Sequence, residues 1–250
     1  METNSPTVQL YLPVQTRLEK SFDHFLGSAN LALIDCLKTH CLSNSETLVF
    51  LVGPPLVGKT HLLSSSVQYF EEYSPEGQVG SYFSLTELLG QSLSEAFLTD
   101  LLGYLEGFNF LALDDLDDWL SQIDPQSRAA AELFLFNLFN HFKMNGKRLI
   151  IASKCTPSRL PIDLNDLRSR LMSGLLVTVK ALDDVEKKQL ICDLARLKGF
   201  ALADDVSAYI LKRGGRDIAS LLNILDDLDK ATLIEKRKLT VPFVKRILNW

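Results

Sequence analysis

The chain has 250 residues, of which 46% are hydrophobic and 23% charged, and its formal net charge is −5. Such a chain can bury a substantial core, and it has no apolar run approaching the roughly 20 residues that a membrane helix needs. The negative charge argues against a protein whose whole surface binds nucleic acid, because neutralising phosphates takes concentrated Lys and Arg. We therefore expect a folded globular protein that does not enter a membrane.

The cysteines and the N-terminal residues bear on the cellular compartment. The four cysteines form no CxxC pair and do not group with the four histidines, which favours reduced, buried thiols over a metal site. The first residues show no basic segment followed by an apolar one, as a secretion signal would. We therefore expect a cytoplasmic protein.

Residues 1–20 are predicted to form a flexible arm, the first of three regions. The arm contains a short peptide, QLYLPV, which has apolar side chains but no helical period. Its residues of interest are Gln9, Leu10, Leu12, Pro13 and Val14. Such a peptide either folds back on its own domain or docks on a partner, and these residues alone leave both options open.

Residues 21–180 alternate between β-rich apolar runs and helical stretches. The predicted strands are 47–52, 78–84, 110–113, 148–153 and 175–179, and the predicted helices are 30–40, 59–71, 94–105 and 126–143. Alternation of this kind predicts an α/β domain in which a five-stranded parallel sheet lies between helices.

From about residue 181 the pattern changes to amphipathic helices without a strand of any length. Asp183 and Asp204 are expected as N-caps, and Gly199 and Gly214 as helix stops. The third region, 181–250, is therefore predicted to be a small all-helical domain.

The segment GPPLVGKT (53–60) follows the first predicted strand and opens a helix. This is the phosphate-loop pattern G-x-x-x-x-G-K-[ST] in the context that it requires. Gly53 and Gly58 permit the tight turn, Lys59 supplies a cation to the β- and γ-phosphates, and Thr60 can ligate Mg²⁺. The segment predicts binding of a nucleoside di- or triphosphate.

The run FLALDD (110–115) supplies a carboxylate partner at the end of a buried strand. We expect Asp114 to orient Mg²⁺ or its water and Asp115 to position the attacking water. Two aspartates after a strand are also a common turn, but the preceding phosphate loop favours the functional interpretation. Many ATPases of this type have Glu at the second position. Because Asp is one methylene shorter, slow hydrolysis is expected.

Three further segments carry a specific resemblance to a known protein family. They are SFDHFLGSANLAL (21–33), DLRSRLMSGLLVTV (166–179) and GGRDIASLL (214–222). Together with the phosphate loop they resemble the AAA+ core of the bacterial replication initiator DnaA. The helical tail, which ends RKLTVPFVKRILNW, is still more similar to the Hda family of short DnaA homologues, which inactivate the initiator. The resemblance covers nearly the whole chain and implies an AAA+ module followed by a helical lid.

The resemblance also implies roles for individual residues. Segment 21–30 resembles the lining of the adenine pocket, and Ser153 lies in the sensor region that contacts the γ-phosphate. Arg170 matches the arginine finger that reaches a neighbour's nucleotide, and Arg216 matches the second sensor, which bridges lid and phosphates. Surface charge on a helix is the alternative for Arg168 and Arg170, and capping is the alternative for Arg216. The implied nucleotide-binding set, for ADP or ATP with Mg²⁺, also includes Phe22, Phe25 and His61.

One departure from the family pattern concerns the residue after the sensor strand. Relatives carry an acidic residue there, whereas this chain has Lys154. A lysine cannot take over the role of an acid in arranging water. Efficient hydrolysis of the chain's own nucleotide is therefore in doubt, while nucleotide binding is unaffected.

The resemblance, finally, accounts for the arm. QLYLPV is similar to the Q-L-x-L-P peptide by which bacterial replication proteins dock on the sliding clamp. The implied function is negative regulation of replication initiation, with DnaA and the clamp as partners, DNA reached only through the clamp, and self-association into a homo-oligomer. Two alternatives stay open: a DNA-binding initiator or helicase loader, and a self-sufficient ATPase.

Overall fold

The structure is a computed structural model that describes residues 21–22, 25, 28–43, 46–214, 218–235 and 239–250. The strands are β1 (Leu48–Val52), β2 (Gly80–Ser84), β3 (Phe110–Asp114), β4 (Arg148–Ser153) and β5 (Leu175–Thr178). The helices are α1 (Leu31–Leu42), α2 (Lys59–Tyr73), α3 (Glu95–Leu105), α4 (Leu116–Gln122), α5 (Pro125–Met144), α6 (Asn165–Met172), α7 (Asp184–Leu197), α8 (Asp204–Arg213), α9 (Ile218–Glu235) and α10 (Val241–Leu248).

The five strands form one parallel sheet in the order β2-β3-β4-β1-β5, which confirms the predicted fold class. Alternate residues of a strand point to opposite faces, so that each buried strand supplies two apolar layers. In β1, Phe50 packs into the core on the side of α3 to α6, whereas Val49 and Leu51 pack into the core on the side of α1 and α2. The sheet is therefore the middle of three layers.

The order of the strands decides which segments meet at the carboxyl end of the sheet. Because β1 lies between β4 and β5, the loop after β1 is flanked by the ends of those two strands. β3 lies between β2 and β4, so the aspartates that follow it face residues from both neighbours. Ligands of open parallel sheets bind at this carboxyl edge.

Helices α7 to α10 pack around an apolar cluster of their own, whose members all lie between residues 191 and 250. Asp183 caps α7 in a full capping box with Glu186, as expected, and Gly214 ends α8. The expected cap at Asp204 is wrong by one residue, because Ala203 is the N-cap and Asp204 begins α8. No helix within the described ranges is long and apolar enough to cross a membrane.

Helix α4 is an element that the sequence did not predict. A turn was the alternative for the two aspartates 114 and 115, yet Asp115 adopts a left-handed conformation (φ 58°) and a helix starts at the next residue. Leu116, Trp119 and Leu120 are fully buried, so apolar packing holds this short helix in place. Its first turn carries Asp117 and Asp118.

The four cysteines are free, but only Cys41 is buried. Cys36, Cys155 and Cys192 are half-exposed, so the expectation of buried thiols is wrong for these three.

Candidate functional site

The phosphate loop joins β1 to α2 and needs both of its glycines. Gly58 has φ 97°, a left-handed conformation, and a Cβ there would lie 2.7 Å from the ring of Phe25. A Cβ on Gly53 would lie 3.0–3.2 Å from atoms of Val57 and Val179. Neither position has room for a side chain, so the packing of the loop requires glycine at both.

Lys59 begins α2 and folds back over this loop. Its ammonium group donates to the carbonyl oxygens of Gly53 at 2.8 Å and Pro54 at 2.9 Å. Burial lowers its pKa, and the opposing field of Asp114 and Asp117 offsets part of that effect. The loop therefore holds a charged ammonium group at its mouth, where a phosphate could replace the carbonyl partners.

Thr60 and Asp114 meet directly, as the sequence predicts for a magnesium site. The Thr60 hydroxyl donates to Oδ2 of Asp114 at 2.6 Å, and the Tyr82 hydroxyl donates to the same oxygen at 3.2 Å. The described residues contain no group of three His, Cys, Asp or Glu side chains that could hold a metal by itself. One carboxylate and one hydroxyl nevertheless fit Mg²⁺, which binds through one or two protein oxygens together with substrate phosphates.

Asp115 lies at the end of β3, beside the end of β2. Its carboxylate accepts a hydrogen bond from the Ser84 hydroxyl at 2.9 Å. Burial raises its pKa, and the neighbouring charge of Asp114 adds to that rise. A carboxyl group with a raised pKa can take up a proton more readily, which suits a general base, although the hydrogen bond from Ser84 occupies one of its oxygens.

Ser153, the last residue of β4, is fully buried. Its hydroxyl donates to Oδ1 of Asp117 at 3.1 Å and accepts from the backbone N–H of Cys155 at 3.2 Å. The hydroxyl is thus directed at α4, and its expected contact with the γ-phosphate stays a prediction. The backbone N–H of Lys154 also donates to Oδ1 of Asp117, at 2.9 Å.

The aromatic residues assigned to the adenine pocket lie together beside the phosphate loop. Phe25 packs against Gly58 and lies 5.7 Å, between ring centroids, from His61. His61 contacts the carbonyl oxygen of Ser21 through Nε2 at 2.9 Å, and Phe22 is buried against Tyr69. An apolar and aromatic wall therefore adjoins the phosphate loop, and its role as the adenine pocket stays a prediction.

The two arginines of α6 have different surroundings. Arg168 donates to the backbone carbonyl oxygens of Ser158, at 3.4 Å, and Ile162, so it fastens the segment before α6. Arg170 makes no hydrogen bond to another side chain in the described part of the chain, and its guanidinium lies 6.0 Å from the centre of the Phe139 ring. It lines an open cavity of about 380 Å³ between α5 and α6.

Several residues of this region were not predicted from the sequence. Tyr82 and Ser84 contact the two aspartates because β2 pairs with β3, an order of strands that the sequence does not reveal. Asp117 and Asp118 belong to the aspartate-rich run that follows β3. Their position shortly after this strand was the only sign in the sequence that they lie near the site. Other predicted residues lie outside the described ranges: Gln9, Leu10, Leu12, Pro13, Val14 and Arg216.

A phosphate loop that opens a helix next to a buried aspartate, on a parallel sheet followed by a helical bundle, belongs to the AAA+ class of P-loop NTPases. The model of the bacterial DnaA ATPase domain matches residues 17–178, and that of the Hda lid domain matches residues 183–248. The chain therefore belongs to the family of bacterial DnaA ATPase domains, and its C-terminal helices form a lid of the Hda type. This membership supports a role as a regulator of replication initiation.

The chain is also similar to individual proteins, and the solved structures among them share its fold. An uncharacterized protein of Haemophilus influenzae is 34% identical over 248 residues, which cover 96% of this chain and 98% of that relative. Domain III of DnaA from Thermotoga maritima has a TM-score of 0.79 at 19% identity and covers 93% of this chain and 97% of its own. AMPPCP-bound DnaA from Aquifex aeolicus has a TM-score of 0.69 at 20% identity, with coverages of 88% and 69%. The RuvB branch migration motor of T. maritima has a TM-score of 0.63 at 18% identity, with coverages of 92% and 71%.

Proposed function

We propose that the protein binds ADP or ATP with Mg²⁺ at its phosphate loop, docks on the sliding clamp through QLYLPV, and stimulates hydrolysis of ATP bound to DnaA. In this proposal the chemistry takes place on the nucleotide of the partner. The nucleotide of the chain itself fixes the arrangement of the lid.

Nucleotide binding is supported by the geometry of the loop and by a relative. Lys59 lies over the phosphate loop, and Thr60 and Asp114 together fit Mg²⁺. The aromatic wall of Phe25 and His61 adjoins the loop on the side where a base would stack. The similar DnaA of Aquifex aeolicus is bound to AMPPCP, an ATP analogue, which favours adenine as the base.

The proposed action on the nucleotide of a partner is supported by one observation, which is that the Arg170 guanidinium is available for contact. Its guanidinium is half-buried over Phe139 and is free of the backbone carbonyls that engage Arg168. A guanidinium that enters a neighbour's site stabilises the charge that develops on the transferred phosphoryl group. The same geometry would let Arg170 reach the nucleotide of a second copy, which is why we also propose a homo-oligomer.

Replacing Arg170 tests this activity. We expect Arg170→Ala to keep its fold and its own nucleotide but to stimulate DnaA at least about 100-fold less, because a finger contributes on the order of 10³ or more to the rate. Arg170→Lys should rescue poorly, since an ammonium lacks the planar fork that spans two oxygens. The measurement is hydrolysis of DnaA-bound ATP in the presence of clamp loaded on DNA.

The matched control is Arg196→Ala, which removes an exposed arginine from α7. It should stimulate DnaA as well as the unaltered protein does. Stimulation by Arg170→Ala at the level of the unaltered protein would exclude Arg170 as the finger.

Clamp binding is tested on the arm. We expect the double replacement Gln9→Ala and Leu12→Ala to abolish clamp binding in surface plasmon resonance without lowering the melting temperature. The control Gln15→Ala, just outside the peptide, should bind the clamp normally. A large drop in melting temperature for the double variant would show instead that the arm folds back on its own domain.

A self-sufficient ATPase is the second candidate, because Lys59, Thr60 and Asp114 are all in place. Against it, Asp115 is shorter than the usual Glu and already accepts a hydrogen bond from Ser84. Steady-state ATP hydrolysis by the isolated protein separates the two candidates, since only the self-sufficient ATPase turns over rapidly without DnaA.

A further inference from the structure

Glu132 lies on α5 and is a buried carboxylate, only 1% exposed, that the proposed function does not use. The backbone N–H of Asp163 donates to both of its oxygens, at 3.0 Å each, and the N–H of Leu164 donates to Oε2 at 2.6 Å. A carboxylate is costly to bury unless hydrogen bonds or a cation replace the lost water. These backbone groups therefore stabilise Glu132, and Glu132 in turn holds them against α5.

The backbone groups that Glu132 holds lie where α6 begins. Leu164 is the N-cap of α6, and its apolar side chain makes no capping hydrogen bond. Glu132 supplies a carboxylate from another helix instead, at the end of α6 where the helix dipole favours negative charge. Because α6 has only 8 residues, a contact at its start influences the direction of the whole helix.

Arg170 is a second point at which α6 contacts α5. Its guanidinium lies 6.0 Å from the centre of the Phe139 ring. Phe139 follows Glu132 on α5 by about two helical turns, so both side chains lie on the same face of α5, and both are buried. One face of α5 therefore contacts both the start of α6 and the arginine that we propose as the finger.

Two arginines also fasten the backbone that leads into α6. Arg128 donates to the carbonyl oxygen of Pro161 at 2.7 Å. Arg168 donates to the carbonyl oxygen of Ile162. Both arginines are half-buried, so water can replace a contact that they lose, whereas Glu132 is enclosed and its hydrogen bonds have no such substitute. Glu132 is therefore the contact of this segment whose loss the structure compensates least.

We propose that Glu132 is a positioning residue for the arginine finger. It fixes the start of α6, and thereby holds the guanidinium of Arg170 over Phe139 in the orientation that enters the site of a partner. The inference rests on the proposed function and adds to it a residue that contacts neither nucleotide nor partner. A finger displaced by about 1 Å can lose as much as about 100-fold in rate, so small shifts of α6 matter.

A carboxylate with a merely structural role makes a different forecast. Its removal would lower the melting temperature, and its effect on activity would multiply with that of any other replacement. A residue that acts through Arg170 has no further effect once Arg170 is absent, because the two side chains then belong to one coupled unit. The double variant therefore separates the two roles.

The experiment measures hydrolysis of DnaA-bound ATP, with clamp loaded on DNA, over a range of concentrations of the full chain. We expect Glu132→Gln to lower the maximal rate about tenfold, because an amide keeps the size but offers one acceptor oxygen instead of two. The concentration that gives half-maximal stimulation, and the affinity for ADP, should change less than about twofold. In the Arg170→Ala background, Glu132→Gln should lower the rate by less than about twofold.

Glu106→Gln is the matched control, since it makes the same chemical change at a carboxylate that contacts α5 elsewhere, at His141 Nδ1 and 3.2 Å. It should stimulate DnaA as well as the unaltered protein does. If Glu132→Gln does not fold, Glu132→Asp carries the same test. It keeps the carboxylate but withdraws it by one methylene, and we expect a loss of about threefold.

The outcomes distinguish this inference from the proposed function. A normal maximal rate in Glu132→Gln, or a further tenfold loss when it is combined with Arg170→Ala, would overturn the positioning role while the loss in Arg170→Ala alone still upheld the finger. Normal stimulation by Arg170→Ala, or no stimulation by the unaltered protein, would overturn both proposals.

Discussion

The carboxyl end of the sheet and its amino end both bury charged or titratable side chains, but those groups have different partners. At the carboxyl end, side chains contact one another: Thr60 donates to Asp114, Ser84 to Asp115 and Ser153 to Asp117. At the amino end, side chains contact the backbone. His40 contacts the carbonyl oxygen of Leu149 at 3.3 Å, and Nε of Arg148 donates to that of Ser43 at 2.8 Å.

The difference shows that burial and a shifted pKa do not by themselves mark a functional site. Burial lowers the pKa of His40 to about 4, yet the ring is buried on α1 and contacts the backbone carbonyl oxygen of Leu149 in β4. The carbonyl contacts of His40 and Arg148 complete the fold, whereas Lys59 makes such contacts at an open loop. Side chains that hydrogen-bond one another around an open loop can exchange partners with a ligand, which is what a binding site requires.

The largest effect should follow from Lys59→Ala at the carboxyl end. We expect ADP affinity to fall about 1,000-fold, or about 4 kcal/mol, because the loop has no other side chain that brings a cation to the β-phosphate. Calorimetry measures this change. Lys147→Ala is the matched control at the amino end, where the lysine donates to the carbonyl oxygen of Glu106. ADP affinity should be unchanged in it, and equal losses in both variants would refute the contrast between the two ends.

The second-largest effect concerns the free energy of unfolding, which should depend on pH through His40 at the amino end. His40 is neutral in the fold because burial lowers its pKa from 6.5 to about 4. Between these values the unfolded chain binds more protons than the folded one, so acidification from pH 6.5 to pH 4 should cost about 3 kcal/mol of unfolding free energy through this residue. Urea unfolding at several pH values measures it.

The variant His40→Gln removes the titrating group and should flatten the pH profile across this window. An equally steep profile in His40→Gln would mean that other groups cause the loss of stability.

A smaller effect is expected from Arg148→Met at the amino end. The variant loses the hydrogen bond to the carbonyl oxygen of Ser43 and the guanidinium contact with the Phe70 ring, but it keeps an unbranched apolar side chain at this position. We expect the free energy of unfolding to fall by about 1–2 kcal/mol, because a hydrogen bond from a charged donor is lost. ADP affinity, measured on the same preparation, should be unaffected, and a parallel loss of affinity would show that the two ends are coupled.

The smallest effect should follow from Tyr82→Phe at the carboxyl end. Asp114 loses one of its two hydroxyl donors but keeps Thr60. We expect affinity for ADP with Mg²⁺ to weaken by about fivefold, since a single hydrogen bond contributes about 1 kcal/mol. Titrations with and without Mg²⁺ check this, and an effect of equal size without the metal would place the role of Tyr82 elsewhere than at Asp114.

The sequence by itself determined the phosphate loop, the buried strands and the change to helices after residue 180, because each depends on residues that are close along the chain. Glycine spacing sets the geometry of the loop, and apolar periodicity sets the type of each element. The boundaries of β4 were predicted to the residue, since this strand is buried along its whole length.

The tertiary structure alone decided which side chains meet. The order of the strands brought Tyr82 and Ser84 to the aspartates, and the packing of Trp119 turned an aspartate run into the start of α4. The pairing of Lys154 with Asp118, 36 residues away, followed from the position of that helix. Local pattern cannot specify such contacts, because they depend on how distant segments pack around a shared core.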